Sequence, residues 1–221
     1  MSPDDIIKAL YDETMVGNAP AVLALTQQGL AAGMTPDTML FDALIPSLEE
    51  VGARFERGDF FVPEMLIAGK AMAGALDVLR PLLAETGVET VGKFLMGTVK
   101  GDVHDIGKNL VNIMLEGAGF EVIDVGVQVS PEKFLEKIVE HSPDIVGMSA
   151  FLTTTMPMFK VNIHEMTKAG LREQVIVMVG GAPVTQEYAD VVGADGYAAD
   201  ASTAVRKAKA LLAARRAMAK V

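Results

Sequence analysis

The chain has 221 residues, enough for one large domain or two modest ones, and half are apolar, so a buried core is expected rather than disorder. A net charge of −10, 5% aromatic residues and no tryptophan argue against a phosphate-reading surface or a base-stacking platform, so nucleic acid is not an expected partner. The absence of cysteine excludes disulfides, thiolate zinc sites, iron–sulfur clusters and cysteine nucleophiles.

The N-terminus, MSPDDIIKAL, lacks the basic-then-apolar order of a signal peptide. No apolar run approaches the about 18–20 residues that span a bilayer. The expectation is a cytoplasmic protein with no membrane partner. Residues 1 to 86 then read as helices with their own start signals. Ser2 before Pro3, Asp4 and Asp5 is an N-cap with proline at the first helical position and acids at the positive dipole end. Asn18–Pro20 and Thr35–Pro36–Asp37 repeat that logic, with Gly17 and Gly33 as stops upstream. Leu40, Leu44, Leu48, Val51 and Phe55 recur at helical spacing, and Pro46 inside that pattern predicts a kink or a new turn. A last helix is expected over 62–83. Four helices with short connections suggest an all-α bundle.

From Val91 the periodicity changes. VGKFLMGTV (91–99), FEVIDVGV (120–127), DIVGMSA (144–150), QVIVMVGG (174–181) and DGYA (195–198) read as strands, each followed by a helical stretch. A helix is expected over 106–117, another opening at Ser130–Pro131–Glu132, and the last at Asp200–Ala201–Ser202. Alternation of nearly continuous apolar strands with helices predicts an α/β parallel sheet covered on both faces. Five strands fit a flavodoxin-like, Rossmann-like domain. The expected division is 1–88 helical and 89–221 α/β, joined by the linker AETGVET (84–90).

Open parallel sheets bind ligands beyond their strand carboxyl ends. Three strand ends carry the unusual residues. The first opens into Lys100–Gly101–Asp102–Val103–His104–Asp105–Ile106–Gly107, the third ends at Ser149 before a hydroxyl-rich loop with Thr153 and Thr155, and the fourth ends at Gly180–Gly181. Asp102 is placed to hold one ring nitrogen of His104 so that the other can meet a metal. Gly107 lets a bulky planar ligand approach the backbone. By itself Asp-x-His-x-x-Gly also fits a histidine that caps a helix or binds phosphate. Zinc competes poorly, because His141 precedes a Ser-Pro turn, His164 lies in a predicted helix and no cysteine completes a tetrahedral set.

GTVKGDVHDIGKNLV (97–111) resembles the signature loop of the cobalamin-binding domain in methionine synthase and in the corrinoid proteins of methyltransferase systems. The segment Ser149–Thr155 and the pair Gly180–Gly181 follow in that family's order. The resemblance implies a cobalamin or related corrinoid, as methylcobalamin or cob(I)alamin, with His104 as lower cobalt ligand in place of the cofactor's own base. It implies Asp102 as the histidine's partner and Thr155 as a third member of the relay, where the family has serine. Gly101, Val103, Asp105 and Gly107 would line the cofactor. Ser149 and Thr153 would bond its nucleotide tail, Gly180 and Gly181 would leave room for it, and Ala201 would add a backbone contact. Asp200–Ser202 reads equally as an ordinary N-cap.

The likeness extends to the helical region, a four-helix-bundle cap in that family. There FERGDFFVPEML (55–66) matches the cap's turn, with Phe60, Phe61, Val62, Met65 and Leu66 as candidates for an apolar roof or for plain bundle core. The implied function is a methyl carrier, not catalytic alone. It takes a methyl on Co(I) from a substrate-specific methyltransferase and passes it from methyl-Co(III) to a second methyltransferase, which uses a thiol or tetrahydrofolate acceptor. A reductive activase is the third implied partner. Methanol, methylamines, betaines and aromatic methyl ethers all remain donors. The alternative is a cobalamin-dependent sensor or regulator, which would need a DNA-binding module; the basic run ARRAMAK (214–220) reads instead as the solvated face of the final helix.

Overall fold

A computed structural model describes residues 1–86 and 90–219, so the middle of the expected linker, 87–89, lies outside the described residues. The chain divides into two compact units, Met1–Thr90 with Glu116–Gly119, and Val91–Leu115 with Phe120–Val221.

The first unit is helical. Helix α1 (Pro3–Met15) opens with a capping box: the Ser2 hydroxyl accepts from the Asp5 amide, and the Asp5 carboxylate accepts from the Ser2 amide. Such a cap stabilises a helix by about 1 kcal/mol. Asn18 caps α2 (Ala19–Ala31) and Thr35 caps α3 (Pro36–Met39), as their side chains predict. Helix α3 runs through a π segment, Leu40–Leu44, into α4 (Ile45–Arg57). Pro46 accounts for the irregularity: it has no N–H for the carbonyl four residues back, so the hydrogen-bond ladder slips one step there without breaking. Gly58, left-handed at φ 79°, ends α4. Helix α5 (Val62–Thr86) runs a few residues beyond the expected stop. Ile6, Leu10, Val22, Met39, Leu44, Val51, Met65 and Leu79 fill the core between these helices.

The second unit is a parallel sheet of β1 (Lys93–Thr98), β2 (Glu121–Asp124), β3 (Ile145–Ser149), β4 (Ile176–Gly180) and β5 (Gly196–Ala198), in the order β2-β1-β3-β4-β5. This is the flavodoxin-like arrangement expected from the five apolar runs. Strand β2 takes only the second to fifth residues of its eight-residue run, because Asp124 accepts from the Gly126 amide and Gly126 turns left-handed at φ 87°.

The connecting helices are α6 (Ile106–Gly117), α7 (Pro131–His141), α8 (Pro157–Lys168), α9 (Gln186–Val192) and α10 (Ala201–Met218). Leu95, Val146, Met148, Val177 and Val179 pack with Phe134, Ile138, Phe159, Ile163, Ala189 and Val192 in one core on the α7, α8 and α9 side. Alternate residues face the other way: a side chain at Gly147 would meet Phe94 and Met96, and one at Gly196 would meet Leu211 of α10. Both faces are therefore covered, which is why the strands read as apolar throughout.

Candidate functional site

The sheet register lines up one row at the carboxyl edge: Thr98 pairs with Ser149, Ser149 with Gly180, and Gly180 with Ala198. Strand order reverses beside β1, between β2 and β3. The loop Val99–Asp105 leaves the sheet at that reversal. Gly101 gives it a left-handed turn, at φ 85°. Beneath the loop, the Thr98 hydroxyl donates to the His104 carbonyl (3.1 Å), and the Gln128 amide donates to the Asp102 carbonyl (3.0 Å).

Asp102 is fully buried and accepts on both oxygens. Its Oδ1 takes the His104 amide (3.1 Å) and faces the His104 Nδ1 at 2.7 Å. Its Oδ2 takes the amides of Phe151 (2.7 Å) and Leu152 (3.2 Å) and the Thr155 hydroxyl (2.7 Å). Burial alone would raise this carboxyl's pKa. The hydrogen bonds from the His104 amide, the Thr155 hydroxyl, the His104 ring and the Phe151 amide outweigh it and hold the group well below the usual carboxylate range. An ionised carboxylate only accepts, so Nδ1 carries a proton toward it, and in the neutral tautomer that this selects the lone pair lies on Nε2. The His104 side chain is 44% exposed. Thr155 Oγ also lies 2.8 Å from the Leu152 carbonyl, but an ionised carboxylate is a stronger acceptor than a neutral carbonyl. The single hydroxyl proton therefore goes to Asp102.

The remaining expected residues lie around this relay. Val103 and Asp105 are exposed, and the Asp105 carbonyl accepts from the Asn109 amide in the first turn of α6. A side chain at Gly107 would meet nothing within 4 Å, so its backbone borders open space. Ser149 is half-buried on the edge row and Thr153 is exposed in the loop after it. Gly181 answers a need within the protein: at φ 130°, its Cβ would fall 1.9 Å from the Ala150 carbonyl. Ala201 is buried behind Asp200, which caps α10 by accepting from the Thr203 amide (2.7 Å).

Two features escaped the sequence reading. Phe151 is 51% exposed, and its ring stacks on His104 with centroids 4.4 Å apart and planes 28° apart. Lys108, in the first turn of α6, is 3% exposed; its ammonium pairs with Asp124 at the end of β2 and reaches Asn109 Oδ1 (2.7 Å). The only signal for either was position, beside the histidine loop and at a strand end.

Among the described residues, no group of three or more histidines and carboxylates could hold a bare metal ion. A single presented nitrogen instead suits a metal whose other in-plane positions are filled by a macrocycle. Exposed Val103, Ile106 and Leu152 give the neighbourhood an apolar surface. A large, mostly apolar ring fits that surface, with the open space at Gly107 beside it. The residues fit a corrinoid.

Comparison with known proteins agrees. A B12 binding domain is matched over residues 92–206, and a second B12 binding domain over residues 6–80. Dimethylamine corrinoid protein 1 of Methanosarcina acetivorans is 42% identical over 214 residues, spanning 96% of this chain and all of that one. Trimethylamine corrinoid protein 1 of the same organism is 39% identical, spanning 96% and 99%. The solved methanol:cobalamin methyltransferase complex MtaBC from Methanosarcina barkeri aligns with a TM-score of 0.83 at 27% identity, over 95% of this chain and 80% of that one. Sheet, helical unit and presented imidazole thus define a cobalamin-binding protein. Within that class, the chain belongs to the corrinoid proteins of methyltransferase systems.

Proposed function

We propose that the chain is a corrinoid methyl carrier, with His104 as the protein nitrogen on the cobalt. One observation carries the reading: the imidazole of His104, 44% exposed, is bonded through Nδ1 to the buried carboxylate of Asp102, which leaves Nε2 as the nitrogen free to meet a metal. A bound corrinoid supplies the cobalt on which a methyl group travels; the chain supplies position and access. Asp102 fixes the tautomer and aim of His104, and Thr155 holds Asp102 in place. Gly101 shapes the loop and Gly107 leaves room for the ring beside Val103 and Asp105. Ser149, Thr153, Gly180, Gly181 and Ala201 lie along the edge where a nucleotide tail would run. In the helical domain, 1–88, Phe61 (66% exposed) and Leu66 (37% exposed) present apolar surface, whereas Met65 is core.

The partners proposed are a substrate-specific methyltransferase, a second methyltransferase using a thiol or tetrahydrofolate, and a reductive activase, all in the cytoplasm. No helix among the described residues is long and apolar enough to cross a membrane. The relatives named for dimethylamine and trimethylamine favour a methylamine as donor over the wider range open to the sequence. The test is reconstitution with cobalamin, reduction, and addition of single methylamines with candidate methyltransferases. The reading predicts that methylation of the cofactor appears in the visible spectrum with one amine and its enzyme. A loaded, reduced chain that no donor methylates would overturn it.

A further inference from the structure

The hydrogen bond from Nδ1 to Asp102 fixes one point of the imidazole but not its plane, because the ring can still tilt about that contact. The second constraint comes from Phe151. Its backbone amide donates to Asp102 Oδ2 at 2.7 Å, while the other oxygen of the same carboxylate meets the His104 ring. Its side chain then returns to stack on that ring. Imidazole, carboxylate, amide and phenyl form a closed circuit in which each member is held by the next. Phe151 is 51% exposed, so burial in the core does not explain the place of its ring.

We propose that Phe151 is a positioning residue for His104, setting the plane of the imidazole and thereby the line along which Nε2 is presented. The proposal rests on His104 being the axial ligand. An offset face-to-face ring contact at this separation is worth about a 2- to 10-fold change in an equilibrium that depends on the ring's orientation. Because the side chain is largely exposed, replacing it should leave the fold intact.

The first test needs no cofactor. In the apoprotein, the ring protons of His104 should show the upfield shift of a stacked phenyl group in nuclear magnetic resonance spectra. The shift should vanish in Phe151→Leu and persist in Phe151→Tyr. The second is a double-mutant cycle read as affinity for diaquocobinamide, a corrinoid without a nucleotide base. Phe151→Leu should weaken binding about 2- to 10-fold with His104 present and leave it unchanged in a His104→Ala background. Unshifted ring protons in the native chain, or an equal loss in both backgrounds, overturns the positioning role; the latter would make Phe151 a direct apolar contact. If His104→Ala itself leaves binding and spectrum unaltered, the ligand reading fails instead, and the apoprotein result still judges the stack.

Discussion

At Asp102 a buried charge is stabilised entirely by donors from two loops, one carrying His104 and one carrying Phe151, Leu152 and Thr155. Replacing it with asparagine turns an amide N–H toward groups that are themselves donors. Asp102→Asn should therefore cost about 2–4 kcal/mol of stability, read as a lower urea midpoint at unchanged slope. A smaller loss, about 1–2 kcal/mol, is expected for Thr155→Val, which keeps the volume and deletes one hydroxyl. Thr155→Ser should be nearly neutral, because the hydroxyl that Asp102 accepts is retained. If Thr155→Val is also neutral in denaturant melts, the third member of the relay contributes nothing to holding the carboxylate.

Elements hold the site as firmly as residues do. Gly181 lets the chain leaving β4 pass against the carbonyl that follows β3, and Gly181→Ala brings a methyl group into that oxygen at a backbone angle alanine disfavours. A loss of about 2–4 kcal/mol in thermal or denaturant unfolding is expected. Lys108 ties the start of α6 to the end of β2. Asp124→Ala strands its buried ammonium, whereas Lys108→Met leaves a half-exposed carboxylate that water can reach. Asp124→Ala should thus be the more damaging of the two, by about 1–2 kcal/mol. The reverse order in melting experiments would mean that the pair is not what anchors the helix.

These elements also show what the sequence made legible. Helix starts were readable at Ser2, Asn18 and Thr35 because a capping side chain acts within three residues of itself. The strands were readable because burial on both faces leaves a continuous apolar run. His104 and Asp102 stood out because they share the loop beyond a strand's carboxyl end, whereas Thr155 was named only through the resemblance to the cobalamin-binding family. Phe151 and Lys108 were not, since stacking on one ring and pairing across to β2 depend on the path of loops that local propensity does not encode. The same limit hid the π segment: Pro46 signalled an irregularity, but only packing decides between a kink and a slipped ladder.

For the whole molecule, the acidic surface and two cores provide a scaffold, while the proposed chemistry resides in a bound ring. A ligand that binds only the folded chain stabilises it by mass action, by about 2.7 kcal/mol at a hundredfold excess over its dissociation constant. Cobalamin should therefore raise the Tm of the native chain by several degrees and that of His104→Ala by much less. Equal shifts in both would place the affinity elsewhere than the imidazole.

The carrier role proposed for the chain requires that a histidine, and not the cofactor's own base, supply the lower nitrogen to cobalt. It is tested most directly by labelling the histidine rings with nitrogen-15, loading the chain with cobalamin, reducing the metal to cobalt(II) and recording its paramagnetic resonance. The splitting from the axial nitrogen should change from a triplet in the unlabelled chain to a doublet in the labelled one, and should be lost with His104→Ala. A triplet that survives histidine labelling would mean that the benzimidazole remains on the metal, contradicting the account at its root.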